Sequence, residues 1–139
     1  MNQIKRLLGI DYGSKRIGIA VSDPLRIIAQ GISVVINSSK AIEQIKKIVQ
    51  EYDPEKIIIG MPLNLKGEKG IKAEEVEKFI AELETKLNIE VVRFDERFTS
   101  KIAEQTLRDM NVKKKTRQAK GYIDSMAAAL ILQGYLDTQ

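Results

Sequence analysis

The sequence predicts an α/β protein whose five-stranded mixed sheet is flanked by helices. Residues 6–36 hold three short apolar segments separated only by turns, so we expect three antiparallel strands there. Two later apolar segments are separated by stretches with helical periodicity, so they need crossover connections and parallel neighbours. The predicted element order is therefore β-β-β-α-β-α-β-α-α.

The three N-terminal strands are marked by turn residues. The first runs from Arg6 to Asp11 and stops at the turn Tyr12-Gly13-Ser14, and the second runs from Ile17 to Val21. The third strand is predicted from alternation, with one face formed by Ile32, Val34 and Ile36.

After residue 36 the spacing of apolar residues changes from the alternation of a strand to the period of a helix, and this change marks the next elements. Ser38 or Ser39 is suited to cap a helix that Asp53-Pro54 ends. Lys56–Gly60 is short and β-branched, which predicts a central strand covered on both faces. A second helix is predicted from apolar residues at helical spacing, namely Val76, Phe79, Ile80, Leu83 and Leu87.

A fifth strand is predicted over Ile89–Phe94, and two helices follow it. The first begins at Thr99 or Ser100 and continues through Met110, and the second spans Tyr122–Leu136. In the last helix we expect the sheet-facing stripe to be Ile123, Ala127, Leu130 and Gly134. That stripe puts Asp124 at its margin, and the small side chains of 127–129 predict a close approach to the sheet.

Composition narrows the class of protein. The 139 residues fit one domain spanning 1–139, and 23 basic against 19 acidic residues give a net charge of +4. The longest apolar run, Met126–Leu132, is far shorter than the ~18 residues of a membrane span. With no cysteine and no long apolar leader, we expect a soluble cytoplasmic protein without a membrane partner.

Three acidic residues stand at the ends of predicted elements. Asp11 and Glu96 end strands, and Asp124 opens the last helix. Sites in such sheets form beyond the carboxyl ends of the parallel strands, where these side chains can meet. Because the chain has no His and no Cys, oxygen ligands remain, and these suit Mg²⁺ or Mn²⁺.

Other carboxylates compete for this role. Asp95 is the strongest competitor, because adjacent strand residues point to opposite faces and the register is not set by the sequence. Asp23, Asp53 and Asp109 rank lower, since they fall in turns or at a helix end. Each of the three favoured acids also has an ordinary structural explanation as a turn, strand-end or helix-start residue.

Four motifs carry a resemblance to a known family. They are the opening Gly9–Asp23, the loop Gly60–Gly67, the segment Asp95–Ser100, and the ending Ile123–Ala128 with Leu132-Gln133. In this order the chain resembles the YqgF family, which is named both for Holliday-junction resolution and for processing of the 16S ribosomal RNA precursor. The resemblance implies an RNase H-like fold with Asp11, Glu96 and Asp124 as metal-binding acids. The chain departs from the family at Gly31, where Pro is frequent, and at Arg26, where Gly is common.

Basic residues near these acids indicate nucleic-acid contacts. The segment before the last helix holds Lys113, Lys114, Lys115, Arg117 and Lys120. Beside a metal site such a run favours phosphate binding, although charge runs also serve simply as solvated surface. Asn64 in the loop after the fourth strand, together with Arg16 and Arg97 beside the acids, completes the predicted nucleic-acid-binding set.

The predicted function is a metal-dependent nuclease that hydrolyses phosphodiester bonds during 5′-end processing of the 16S rRNA precursor in ribosome biogenesis. Asp11 would bridge two ions, Glu96 and Asp124 would complete their shells, and water would attack phosphorus in line. A monomer is favoured over a dimer, because one core uses the apolar positions and no heptad seam remains. Three alternatives stay open: a resolvase acting on branched DNA, a non-catalytic RNA-binding assembly factor, and an actin-like phosphotransferase, which would need a second domain.

Overall fold

The computed structural model describes residues 4–63, 66–67, 69–96 and 119–139, with side chains from 125 onward in the last segment. Its elements are β1 (Leu7–Tyr12), β2 (Arg16–Ser22), β3 (Ala29–Ile36), α1 (Ala41–Tyr52), β4 (Lys56–Met61), α2 (Ile71–Leu87), β5 (Glu90–Asp95) and α3 (Ala119–Leu136). The predicted order is confirmed for these elements. The helix predicted from Thr99 or Ser100 to Met110 lies outside the described residues.

The five strands form one mixed sheet, as predicted, in the order β3-β2-β1-β4-β5. β1 pairs antiparallel with β2, and β2 pairs antiparallel with β3. β1 and β4 are parallel, as are β4 and β5. The carboxyl ends of β1, β4 and β5 therefore meet at one edge of the sheet.

Helices cover both faces of the sheet. α1 and α2 bury one face, where Leu8 and Ile10 of β1 point, whereas Leu7 on the other face of that strand packs with α3. Ile57, Ile58 and Ile59 of β4 are all 0% exposed, which confirms a central strand covered on both sides. Among the described helices, none is both long and apolar enough to cross a bilayer.

The ends of α1 differ in part from the prediction. Lys40 occupies the N-cap position, and no side-chain oxygen caps the helix. The Ser38 hydroxyl instead accepts a hydrogen bond from the Lys40 amide, at 3.2 Å, just before the helix begins. The helix ends as predicted at Asp53, which directly precedes Pro54. The φ of Asp53 is 47°, in the left-handed region typical of helix C-termini.

β3 does not follow the predicted alternation. The pairing register with β2 shifts between Ile19 and Ala20, so β3 carries one extra residue there. Because of this bulge Val35 joins the core, whereas Ile36 is 61% exposed. The prediction of one face formed by Ile32, Val34 and Ile36 is therefore wrong: a bulge changes which residues face the core, and the sequence pattern does not reveal it.

Arg26 has a φ of 59°, in the left-handed region that favours glycine. Its guanidinium Nε donates to the Lys5 carbonyl oxygen at 2.7 Å, and Nη2 pairs with Glu55 Oε1 at 2.9 Å. These contacts give the side chain a structural role at the β2–β3 turn, in spite of the backbone strain.

The sheet-facing stripe of α3 differs from the predicted one. Its buried residues are Ala128, Ala129, Ile131, Leu132 and Leu136, whereas Ala127, Leu130 and Gly134 are only half-buried. The helix is apolar on nearly all sides, so periodicity alone does not select the inward face.

The predicted close approach of α3 is confirmed. A Cβ at Gly9 would lie 2.8 Å from Leu132 Cβ, and one at Gly31 would lie 2.7 Å from the Ser125 carbonyl oxygen. Glycines of the sheet thus set where the helix lies.

Candidate functional site

Two of the predicted acids come together at the shared carboxyl edge of the parallel strands. Asp11 is the fifth residue of the six in β1, and Glu96 directly follows β5. β4 lies between them, and the registers pair Ile10 with Ile59 and Met61 with Asp95. The carboxyl groups of Asp11 and Glu96 meet across the end of β4, where they share a hydrogen bond.

Gly60 makes room for this pair. A Cβ at position 60 would lie 2.7 Å from Glu96 Oε1 and 2.8 Å from Glu96 Cγ, so the glutamate side chain rests directly on the glycine Cα. The same Cβ would lie 2.7 Å from Ile131 Cδ1 of α3. Gly60 therefore allows both the acid and the helix to approach the sheet.

The environment of Glu96 favours its neutral form. Burial raises the pKa of the Glu96 carboxyl to about 7, and the negative charge of Asp11 and the hydrogen bond to it act in the same direction. The charge of Asp95 also raises this pKa, whereas Lys72 lowers it. Near neutral pH the pair therefore readily holds one proton between two carboxylates.

The strand register distinguishes Glu96 from Asp95. Val91 of β5 packs in the core under α1 and α2, whereas Val92 and Phe94 pack on the α3 side. Alternation then directs Asp95 toward α2, and Glu96 lies with Asp11 on the α3 side. Glu96, the acid favoured from the sequence, is the one that meets Asp11.

Asp23 and Asp53 lie away from the acid pair, and Asp109 falls outside the described residues. Asp23 follows β2, which is antiparallel to β1, so it lies at the opposite end of the sheet. Its Oδ1 accepts hydrogen bonds from the amides of Ile27 and Ile28 at 2.7 and 2.8 Å, which is a turn role. Asp53 caps the end of α1 and lies 3.4 Å from Lys5 Nζ.

The donor set of the acid pair fits a hard divalent ion. Two carboxylates that share a proton offer oxygen ligands, and an ion that displaced the proton would relieve their mutual repulsion. Among the side chains that the structure describes, no three acidic residues form a metal-binding group. A third carboxylate would have to come from outside that set; Asp124 lies in α3, and its side chain is not described.

Lys72 is a cation near the pair that the sequence reasoning missed. It stands in the first turn of α2 with an exposed side chain, and its charge acts on Glu96. One sequence signal was available. A lysine at a helix N-terminus is disfavoured by the helix dipole, so its presence invites a functional explanation.

Arg16 opens β2 at the same end of the sheet as Asp11. The turn between them is tight, because a Cβ at Gly13 would collide with the Arg16 carbonyl oxygen. Asn37 Nδ2 supports the turn by donating to the Gly13 carbonyl at 2.8 Å. Arg16 thus lies near the acid edge, as predicted, and its proposed contact with nucleic acid stays a prediction.

The other predicted nucleic-acid contacts are not tested by the structure. Lys120 lies in the first turn of α3, where side chains are not described. The remaining residues of that set lie outside the described part of the chain: Asn64, Arg97, Lys113, Lys114, Lys115 and Arg117.

Comparison with known proteins gives matches along nearly the whole chain. The RuvX family, described as a Holliday junction resolvase, matches residues 5–138. A protein of Syntrophus aciditrophicus is 46% identical over 134 residues, covering 95% of this chain and 88% of that protein. One of Sulfurihydrogenibium sp. is 44% identical over 136 residues, covering 96% and 91%. Both carry the name "Putative pre-16S rRNA nuclease".

Solved structures show the same fold at low sequence identity. RuvC of T. thermophilus in complex with a Holliday junction substrate superposes with a TM-score of 0.59 at 16% identity, with 96% of each chain covered. The fowlpox virus Holliday junction resolvase gives 0.56 at 13% identity, covering 96% of this chain and 99% of that one. The predicted RNase H-like fold is thereby confirmed.

Proposed function

The chain belongs to the RuvX family of nucleases, and from this premise we propose that it cleaves phosphodiester bonds with divalent metal ions held by Asp11, Glu96 and Asp124. The observation that supports the proposal best is the Asp11–Glu96 pair, two carboxylates drawn together on Gly60 at the carboxyl edge of the parallel strands. Such crowding of like charges costs folding stability, and a site that binds cations explains it.

The spacing of α3 supports Asp124 as the third ligand. Position 124 precedes Ala128 by four residues and Ile131 by seven, and positions at this spacing share one helix face. Ala128 lies against Gly9 of β1, and Ile131 touches Gly60 beneath Glu96. The stripe that begins at position 124 therefore runs over β1, which holds Asp11, and over β4, on whose Gly60 the Glu96 side chain rests.

The protein's own residues would bind and orient the reacting groups. Asp11 on the central strand β1 and Glu96 directly after β5 would hold the ions with their carboxylate oxygens. Mg²⁺ or Mn²⁺ bound there would supply Lewis-acid stabilisation of the charge that develops on the phosphoryl oxygens. Arg16 and Lys72, at the same edge, would hold the phosphates on either side of the scissile bond.

For substrate we propose the 16S rRNA precursor, processed in the cytoplasm by a monomer. Two curated relatives above 40% identity bear a name for this activity. Trimming an RNA end needs one active site, whereas symmetric cutting of a junction needs two sites related by a dimer axis. The family description and the fold of the junction-bound RuvC keep junction resolution as the second candidate.

One experiment separates these substrates. Wild-type protein and the Asp11→Asn variant are each incubated with Mn²⁺ and either a 16S precursor fragment or a four-way DNA junction, and their mass in solution is measured. We expect Asp11-dependent cleavage of the precursor by a monomer. Paired symmetric cuts in the junction by a stable dimer, with the RNA intact, would assign the resolvase activity instead.

A further inference from the structure

Glu77 connects three separate segments on the α2 side of the acid edge. Its carboxylate accepts from Lys69 Nζ at 2.8 Å and from Arg93 Nη2 at 2.7 Å, and Arg93 Nε lies 2.9 and 3.0 Å from the two carboxylate oxygens. Arg93 belongs to β5 and Glu77 to α2, and Lys69 lies in the loop between β4 and α2. We call this group the Glu77 clamp.

The clamp is stronger than an ordinary surface ion pair. The Arg93 contact is bidentate, and the Glu77 side chain is only 25% exposed although its partners are 44% and 56% exposed. Hydrogen bonds from Arg93 and then from Lys69 lower the pKa of the Glu77 carboxyl to about 2. The carboxylate is therefore ionised at any pH at which the protein would act.

The loop that the clamp holds begins and ends beside the acid pair. It leaves the sheet after Met61, one residue past the Gly60 that supports Glu96, and it returns at Ile71, one residue before Lys72. Its two sides are joined at their base by a bridge between Leu63 and Lys69. The clamp therefore holds the chain at Lys69, three residues before Lys72 in the first turn of α2.

The end of this loop, at Gly70 and Ile71, has little apolar packing. A Cβ at Gly70 would meet nothing within 4 Å, and the Ile71 side chain is 80% exposed. Ala73 is the first buried residue of α2. Within the described part of the chain, the ion pairs of the clamp and the Leu63–Lys69 bridge hold the start of this segment, and the buried Ala73 holds its end.

From this arrangement we propose that Glu77 is a positioning residue, which through Lys69 and Arg93 holds the first turn of α2 so that Lys72 binds a substrate phosphate next to the Asp11–Glu96 pair. Lys72 touches the substrate, and Glu77 does not. The inference rests on the proposed action on nucleic acid and adds to it the group of residues that positions the Lys72 phosphate contact.

Binding measurements on the cleavage-deficient Asp11→Asn background test the proposal without relying on activity. The affinity for a short single-stranded RNA is measured against salt concentration for that background alone and with Lys72→Gln, Glu77→Gln, both together, or Glu74→Gln. Glu74 is the matched control, because it lies in the same helix and its change alters the net charge equally.

The direction in which Glu77→Gln changes RNA binding shows whether Glu77 acts by positioning Lys72 or only through its own charge. Removing an acid makes the protein more positive, which by itself would strengthen binding. We expect Glu77→Gln instead to reduce the salt slope by ~0.7, the value for one single-strand phosphate contact, as Lys72→Gln does. The double variant should lose no more than either single variant, because Glu77 acts through Lys72.

Other outcomes overturn the proposal. If the salt slope of RNA binding were the same in Glu77→Gln and Glu74→Gln, the clamp would be a purely structural contact. The same conclusion would follow if the losses of slope from Lys72→Gln and Glu77→Gln added together in the double variant. Because Lys72 is exposed, its variant remains informative even if Glu77→Gln lowers the melting temperature. If the wild type bound RNA with the expected slopes but cleaved nothing, the proposed function would fail and the clamp would stand.

Discussion

Glu96 rests on the Cα of Gly60, so closely that a single methyl group at position 60 would lie 2.7 Å from its Oε1. Because Gly60 has no side chain, the Glu96 carboxylate, which follows β5, crosses the end of β4 and meets Asp11 of β1. A hydrogen bond between the two carboxyl groups, and a Glu96 pKa raised to about 7, are the physical results.

Replacing Gly60 should reduce activity more than stability. In Gly60→Ala the methyl group meets side-chain atoms only, Oε1 and Cγ of Glu96 and Cδ1 of Ile131, so a change of rotamer relieves the contact without moving backbone. We expect the folded protein to survive while Glu96 leaves its partner, and cleavage to fall by roughly 10²-fold, the scale expected for a misplacement of about 1 Å. Single-turnover kinetics and a thermal melt measure the two effects.

Gly9→Ala and Gly70→Ala are the matched controls for that change. At Gly9 the methyl group meets Leu132 Cβ and the Ala128 carbonyl oxygen, so helix backbone has to move, and we expect a loss of about 1–3 kcal/mol of stability. At Gly70 it meets nothing, and cleavage should stay near the wild-type rate. Full activity in Gly60→Ala would contradict the role assigned to the glycine.

Asp11→Asn should abolish cleavage without unfolding the protein. The change removes a charge that would hold the metal ions, so we expect the rate to fall by at least ~10²-fold, the scale for loss of one charge-stabilising group. Asp95→Asn is the comparison, since Asp95 lies on the other face of β5 and its variant should remain active within a few fold. Equal rates for Asp11→Asn and wild type would remove Asp11 from the mechanism.

The metal-free protein should lose stability as the pH rises from about 4.5 to above 7. The folded-state pKa of Glu96 is raised from 4.5 to about 7, so its stabilising protonation is complete below 4.5 and is lost as the pH passes through 7. This shift in the pKa of Glu96 accounts for up to about 3 kcal/mol of the free energy of unfolding. Thermal melts in EDTA should show this fall in wild type and a flatter profile in Glu96→Gln.

Metal binding should release protons in the same pH range. An ion that takes the place of the shared proton lowers the pKa of Glu96, so the proton released per ion should increase as the pH falls from 8 to 6. Calorimetric titration with Mn²⁺ in two buffers of different ionisation enthalpy measures this number. Binding without proton release at pH 6 would place the ions away from Glu96.

The basic segment before α3 should bind phosphates. Replacing Lys113, Lys114 and Lys115 with Gln is expected to weaken binding similarly for all sequences and to reduce the salt slope by up to ~0.9 per lost duplex contact. An affinity measured across salt concentrations decides this, and an unchanged slope would assign the three lysines to solvent.

Much of the fold could be predicted from the sequence, because strand and helix periods are local properties. Turn residues such as Gly13 separate the antiparallel strands, and the β-branched run of β4 indicates burial on both faces. Absence of His and Cys likewise limits the ligand chemistry to oxygen.

Tertiary structure decided which faces and which neighbours those elements have. The bulge in β3 buries Val35 and exposes Ile36, and the buried stripe of α3 includes Ala128 in place of the predicted Ala127. Both depend on contacts between segments distant in the chain, which periodicity in one segment does not encode.

The acid site divides in the same way. Asp11 and Glu96 were recognisable from their positions at strand ends, since parallel strands share an edge. Their hydrogen bond, the room left by Gly60 and the charge of Lys72 exist only once β1, β4, β5 and α2 pack together. The types and order of the residues determined which chemistry is available to the protein. Distances and burial arise only when the elements pack, so the tertiary structure decided which residues surround the acid pair and that the pair holds a proton near neutral pH.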